Sequence, residues 1–264
     1  MGSAFSVRIA DTPTVREGKK LNFRTKFLSS VLMTAALLPC IAAFAESEDS
    51  AAVPASPAPV NPVAEVRNAR SWEYGPFVNW GKGVGDRSDF DFLWGGAQLG
   101  KILTPVVHAG IFSGQFEYGG NIMPLWLAFT PAAHQQTFIY QGQAYTQPIG
   151  GGTYVGLSLT PVIFRWNFLT RSRRLQPWFQ AAGGLVYTTH KFPPDVLVPR
   201  GTPGGTSVWN FSPQGGVGVH YLLRSRRSID LGVNAVHISS ASLGDRNPGV
   251  NASLQVQVGY TFWK

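Results

Sequence analysis

The amino-acid sequence predicts an all-β protein, an eight-stranded antiparallel up-and-down transmembrane β-barrel occupying residues 71–264. Three observations predict it. The chain opens with an export signal; nothing after that signal is both apolar and long enough to be a spanning helix; and beyond residue 71 apolar side chains recur at every second position, opposite a face of Gln, Asn, Ser and Gly. In lipid every backbone N–H and C=O must find its partner within the protein, so a chain without spanning helices enters a membrane only as a closed barrel.

Residues 1–45 carry the signal. Lys19, Lys20, Arg24 and Lys26 form a basic region, Phe27 to Ala45 is uncharged and apolar, and Ala43-Phe44-Ala45 is a small-residue cleavage site just before Glu46. An uncleaved anchor is the competing reading, because the apolar run is near the minimum for spanning a bilayer. The cleavage site and the acidic, Pro-rich sequence after it favour removal. The only cysteine, Cys40, lies inside the signal in a poor lipoprotein box, Leu38-Pro39-Cys40, so the mature chain has neither disulfides nor thiol chemistry. Residues 46–70 are Ala/Pro-rich without periodicity and read as a disordered linker.

The net charge of +8 is misleading, since the first 45 residues hold six of the 22 basic residues and two of the 14 acidic ones, leaving +4 on the rest. Six of the remaining arginines sit in two short clusters, Arg171-Ser172-Arg173-Arg174 and Arg224-Ser225-Arg226-Arg227. That is turn chemistry rather than an aromatic-studded phosphate track, and it excludes nucleic acid as the partner.

Strands are expected near residues 71–82, 90–103, 107–119, 153–168, 176–190, 208–223, 228–240 and 251–263. Successive strand side chains point to opposite faces. In the first, Trp72, Tyr74, Val78 and Trp80 share a phase; in the third, Phe112, Phe116 and Tyr118 oppose Ser113, Gln115 and Glu117. The phase switches near Pro161, where a bulge is expected. In the sixth, Trp209, Phe211, Val217, Val219 and Tyr221 oppose Asn210, Ser212, Gln214 and His220, and in the last, Ala252, Leu254, Val256 and Val258 oppose Asn251, Ser253, Gln255 and Gln257. A soluble eight-stranded barrel would also alternate, but with its apolar face inward around a greasy ligand. Here the polar face, with isolated charges at Glu117, Arg165 and Asp230, suits a narrow hydrogen-bonded lumen, with aromatic girdles outside. Connections near 104–106, 169–175 and 224–227 are short, whereas those near 120–152 and 191–207 are long. Outer-membrane barrels turn tightly in the periplasm and loop widely outside, which puts both arginine clusters and both chain ends on the periplasmic side. Eight strands also leave an interior filled by side chains, which argues against a diffusion pore.

One arrangement suggests chemistry. His237 and Ser239 continue the outward phase of Ile229, Leu231, Val233 and Ala235 near the outer end of their strand. Two residues apart on one face, they stand roughly 6–7 Å apart at the backbone, close enough for an imidazole to take a hydroxyl proton and activate a serine for acyl transfer. The bland alternative is a polar strand tip among lipid headgroups. His108, His134, His190 and His220 show no metal-ligand spacing, His220 reads as a hydrogen-bonded interior group, and no metal or cofactor is expected.

His237-Ile238-Ser239-Ser240-Ala241, followed by Asn247-Pro248-Gly249-Val250-Asn251, resembles the H-x-S-N-A … N-P-G signature of the lipid A 3-O-deacylase (PagL) and acyloxyacyl-hydrolase-like family. The blocks GQFEYGGNIMPLWLAF, YVGLSLTPVIFRWNF, LQPWFQAAGGLVY and NFSPQGGVGVHYLL look like its strands, in order. The resemblance implies a barrel in the outer membrane of a Gram-negative-type bacterium that removes an ester-linked acyl chain from lipid A, the partner being lipopolysaccharide of the outer leaflet. The family's catalytic histidine and serine carry over onto His237 and Ser239. Two departures stand against it: Ser240 replaces the family's Asn after the serine, and Asn251 falls where the family has a glutamate. Asp245 is a possible substitute carboxylate, and Ser240 and Ser242 are candidates for the oxyanion site. The competing reading is a catalytically inactive structural or adhesive barrel on the same scaffold.

Overall fold

A computed structural model describes residues 60–140, 142–149, 151–194, 207–241 and 251–264. The period-two alternation closes on itself. Among the described residues the strands are β1 (Trp72–Gly83), β2 (Asp91–Ile102), β3 (Gly114–Phe129), β4 (His134–Tyr140), β5 (Gln143–Ile149), β6 (Thr153–Phe168), β7 (Leu175–Phe192), β8 (Ser207–Phe211), β9 (Gln214–Arg224), β10 (Arg227–His237) and β11 (Ala252–Trp263). Walking round the wall the order is β1, β2, β3, β6, β7, then β8 with β9, then β10 and β11, every pairing antiparallel, and β1–β11 closes the barrel from Glu73↔Trp263 to Gly83↔Ser253. Strands β8 and β9 share β7 as partner, through Leu185↔Phe211 and Ala182↔Gln214, so they are one stave interrupted at Ser212 and Pro213. Proline has no N–H to give the ladder, which accounts for the break. The wall therefore has eight staves in an up-and-down meander.

The burial pattern is inside-out for a soluble protein. Leu99, Val155, Val217, Leu231, Val256 and Val258 are exposed on the outer wall, while Gln98, Glu117, Arg165, Gln180, Asn234 and Gln257 are buried. Trp72, Tyr74, Tyr118 and Tyr221 stand exposed at the end holding the chain's C-terminus, and Trp80, Phe129 and Trp209 at the other. This is the distribution of a membrane-spanning barrel with two aromatic girdles. None of the described helices is long and apolar enough to cross a membrane.

The lumen has two storeys. Toward the end that holds the C-terminus, Arg165 pairs with Glu73 at 2.7 Å and Glu117 at 3.1 Å and also donates to Gln180 Oε1. Asn167 donates to Glu117, and Gln180, Asn234, Gln257 and Gln98 continue the chain of amides. His220 Nδ1 lies 2.6 Å from Asp230, which also accepts from Ser228 and Thr261. His220 is thus the buried, hydrogen-bonded interior group its phase predicts. Toward the opposite end the lumen is filled by Phe90, Phe92, Trp94, Trp126, Tyr154 and Phe192. Trp94 and Trp126 stack with ring centroids 5.8 Å apart, and Phe192 meets Trp126 edge-on at 5.3 Å.

Three expectations need correction. The linker expected over 46–70 ends early, because Pro62–Ala69 is a helix, α1. Asn61 caps it by accepting from the N–H of Ala64, and Pro62 starts it with a preset φ. Val63 and Val66, one turn apart, are buried with Ile102, Leu222 and Trp263 across the barrel mouth. Alanine and proline content hid this single apolar stripe. The third strand, expected over 107–119, is β3, and the connection expected at 104–106 extends over 103–113. Pro105 and Pro-flanked Val106 resist pairing, and Gly110 takes φ +59° in a short 3-10 turn that Ser113 holds through Ala109 N and Gly110 O. The long connection expected over 120–152 shrinks accordingly, and part of it is the β4–β5 hairpin, a separate two-stranded sheet. The bulge expected near Pro161 is present, as a register shift between Leu159 and Val162.

Candidate functional site

Strand β10 runs away from the Arg224–Arg227 turn. Along it Asp230, Gly232 and Asn234 are buried toward the lumen, whereas Ile229, Leu231 and Ala235 face outward. His237 and Ser239 continue the outward phase and are half-buried. Pairing on both flanks keeps that phase past the strand's formal end. His237 stands opposite Ala252 and donates its N–H to Pro213 O at 2.9 Å; Ile238 N donates to Asn251 O at 2.9 Å; and Ser239 forms a bridge with Phe211, with hydrogen bonds of 2.7 and 2.9 Å. Directly opposed residues in an antiparallel pair share a face. Ser239 is therefore flanked by the exposed ring of Phe211, and His237 by the small Ala252, at the end of the wall remote from α1.

Beyond Ser239 the chain turns. Ala241 adopts φ +48° and its N–H donates to Ser239 Oγ at 3.1 Å. Ser240 is fully buried on the inward phase, so its side chain is turned from the face that holds Ser239. Asn251 is also buried on the inward phase, opposite Ile238, and its Oδ1 accepts from Arg87 Nε at 2.7 Å. Its Nδ2 has no hydrogen-bond partner among the described residues. The ladder resumes directly after Asn251, with His237↔Ala252 and Val236↔Ser253 in regular register. Ser242 and Asp245 lie outside the described residues.

Two groupings were not read from sequence. Arg87, at the end of the short 3-10 turn Gly85–Arg87 that follows β1, holds Asn251 just before the neighbouring stave β11, and a turn residue carries no periodic signal. The second is the cluster of His220, Asp230 and Ser228, which contains the residue types of a serine triad in the wrong order of contact. Here the hydroxyl donates to the carboxylate at 2.7 Å rather than to the imidazole, and all three side chains are buried. It is interior structure. Among the described residues no group of His, Cys, Asp and Glu could hold a metal ion.

Comparison with known proteins bears on this site. The crystal structure of the outer membrane enzyme PagL resembles the chain at 14% identity and TM-score 0.42, covering 71% of this chain and 97% of that one. The crystal structure of Neisserial surface protein A (NspA) does so at 12% identity and TM-score 0.42, covering 72% and 96%. The solid-state NMR structure of outer membrane protein AlkL in DMPC bilayers follows at 11% identity and TM-score 0.28, covering 83% and 97%. No curated protein matches the sequence. The family model for lipid A 3-O-deacylase (PagL) matches residues 114–261, more than half of the chain and including β10, His237 and Ser239. With that match, the chain belongs to the lipid A 3-O-deacylase (PagL) family.

Proposed function

We propose that this protein is an outer-membrane esterase that removes an ester-linked acyl chain from lipid A in the outer leaflet. Ser239 is the nucleophile and His237 the general base. The observation that carries the reading is the shared outward phase of His237 and Ser239 at the end of β10 remote from α1 and the C-terminus, where the ester of a membrane lipid can reach them. Ser239 Oγ attacks the ester carbonyl as His237 takes its proton; the tetrahedral intermediate collapses, the sugar oxygen leaves with that proton, and water then releases the fatty acid from Ser239 by the same route reversed. Backbone N–H groups just after Ser239 stabilise the oxyanion. This chemistry needs no metal or cofactor.

Mass spectrometry of lipid A from cells with and without the protein tests the proposal. A loss of mass equal to one hydroxylated or plain acyl chain, absent with Ser239→Ala, supports it; unaltered lipid A with wild type removes it. One observation favours a second reading, a non-enzymatic barrel on the family scaffold. The family's carboxylate position, Asn251, is an amide turned into the lumen against Arg87, where it gives His237 no electrostatic support.

A further inference from the structure

The outer wall carries a second feature, separated from β10 by β11 and β1 and lying toward the opposite end of the barrel. Between β2, β3 and β6 runs a groove of about 790 Å³. That is within the roughly 300–1,000 Å³ of small-molecule sites. Its base is formed where Ala97, Gly120 and Pro161 offer little or no side chain, and Leu99, Ile122 and Leu159 rise beside it. The sequence makes the groove through bulges. Register shifts fall between Gly95 and Ala97, between Gly119 and Asn121, and between Leu159 and Val162, so three neighbouring staves bend at one height. A bulge frees backbone groups, and in hydrocarbon a freed carbonyl is costly. Tyr118 answers this by donating its hydroxyl to Pro161 O at 2.8 Å.

The groove's mouth is cationic. Lys101 Nζ lies 5.2 Å from the centre of the Trp72 ring, in the girdle at the end with the C-terminus. Arg70, just after α1, donates to Leu103 O at the same rim. None of the residues lining the groove is acidic. A channel for hydrocarbon that ends at ammonium and guanidinium groups at headgroup depth fits one chemistry.

We propose that this groove binds an anionic diacyl phospholipid of the periplasmic leaflet, one acyl chain lying over Ala97 and Gly120 and the phosphate at Lys101 and Arg70. The site is separate from the esterase reading and stands whether or not His237 and Ser239 are catalytic. Native mass spectrometry of the full protein, refolded in a non-ionic detergent and incubated with phosphatidylglycerol or phosphatidylethanolamine, tests it. One phosphatidylglycerol is retained by wild type, in preference to phosphatidylethanolamine. Lys101→Gln weakens retention roughly tenfold, as expected for about 1.4 kcal/mol of lost charge-assisted contact. Ala97→Trp, which fills the groove without touching its charges, abolishes retention, and Leu231→Trp on another stave does not. Heat-modifiable gel mobility checks that each variant is folded. Equal retention by wild type, Lys101→Gln and Ala97→Trp, or equal retention of the two lipids, overturns the proposal.

Discussion

At the scale of single residues, the wall separates neighbours by side. Ser239 faces outward beside Phe211, while Ser240 and Asn251 face the lumen. The functional expectations follow from these directions. Ser239→Ala is expected to lower deacylation by roughly four orders of magnitude or more, as loss of a serine nucleophile does elsewhere, with the folded barrel retained; lipid A mass spectra read the first and gel mobility the second. Asn251→Glu is expected to leave the rate unchanged, because the new carboxylate meets Arg87 instead of His237. A rise in rate would place residue 251 beside the imidazole after all. If Asp245 supplies the orienting acid, Asp245→Ala is as damaging as His237→Ala in the same assay. The outward phase of the histidine and serine was legible because alternation is local arithmetic. Arg87 was not, because its partner lies 164 residues away in sequence.

At the scale of elements, legibility followed the strength of the period. The staves β1, β2, β6 and β11 match their expected spans within a residue or so: alternation runs unbroken through β1 and β11, and the bulges inside β2 and β6 shift the phase without ending the strand. The start of β3 was missed where aromatic and apolar residues on both phases, Ile111 and Phe112, mimic a strand inside a turn. Helix α1 was missed because Pro62–Ala69 gives too few turns for a helical period to emerge, and its stability comes from tertiary packing. Its energetic weight is testable. Val63 and Val66 are both nearly fully buried. Replacing each with Ala removes about two methylene equivalents, about 1.5 kcal/mol apiece. The double variant should therefore unfold at measurably lower urea concentration in detergent, and an unchanged midpoint would mean that α1 does not dock on the mouth. The same two changes leave the outer wall, and hence any deacylation, untouched.

At the scale of the whole molecule, the lumen holds the barrel together through two unlike fillings. Arg165 is the hub of the polar one, buried against Glu73, Glu117 and Gln180 and packed over the Trp178 ring at 4.9 Å. Arg165→Met strands two buried carboxylates and is expected to cost about 3–5 kcal/mol in reversible urea unfolding. Adding Glu73→Gln and Glu117→Gln should recover much of that loss, since charge without compensation, rather than the missing side chain, is the source of the cost. If the single and triple variants are equally unstable, packing over Trp178 matters more than charge. In the aromatic storey, Trp126→Ala leaves a void among Trp94, Phe92 and Phe192, with a loss of about 3–5 kcal/mol. The polar part of the lumen was legible in the sequence but its aromatic storey was not, because Trp126 fell in the connection expected over 120–152 and Phe92 and Trp94 stand on a strand that a bulge interrupts. That stacked storey has a physiological consequence. Among the described residues rings fill the lumen above and a helix packs across its mouth below, so the axis is expected to pass neither ions nor small antibiotics. A cell can therefore insert many copies of this barrel without making its envelope leaky, and planar-bilayer recordings should show no conductance step as copies are added.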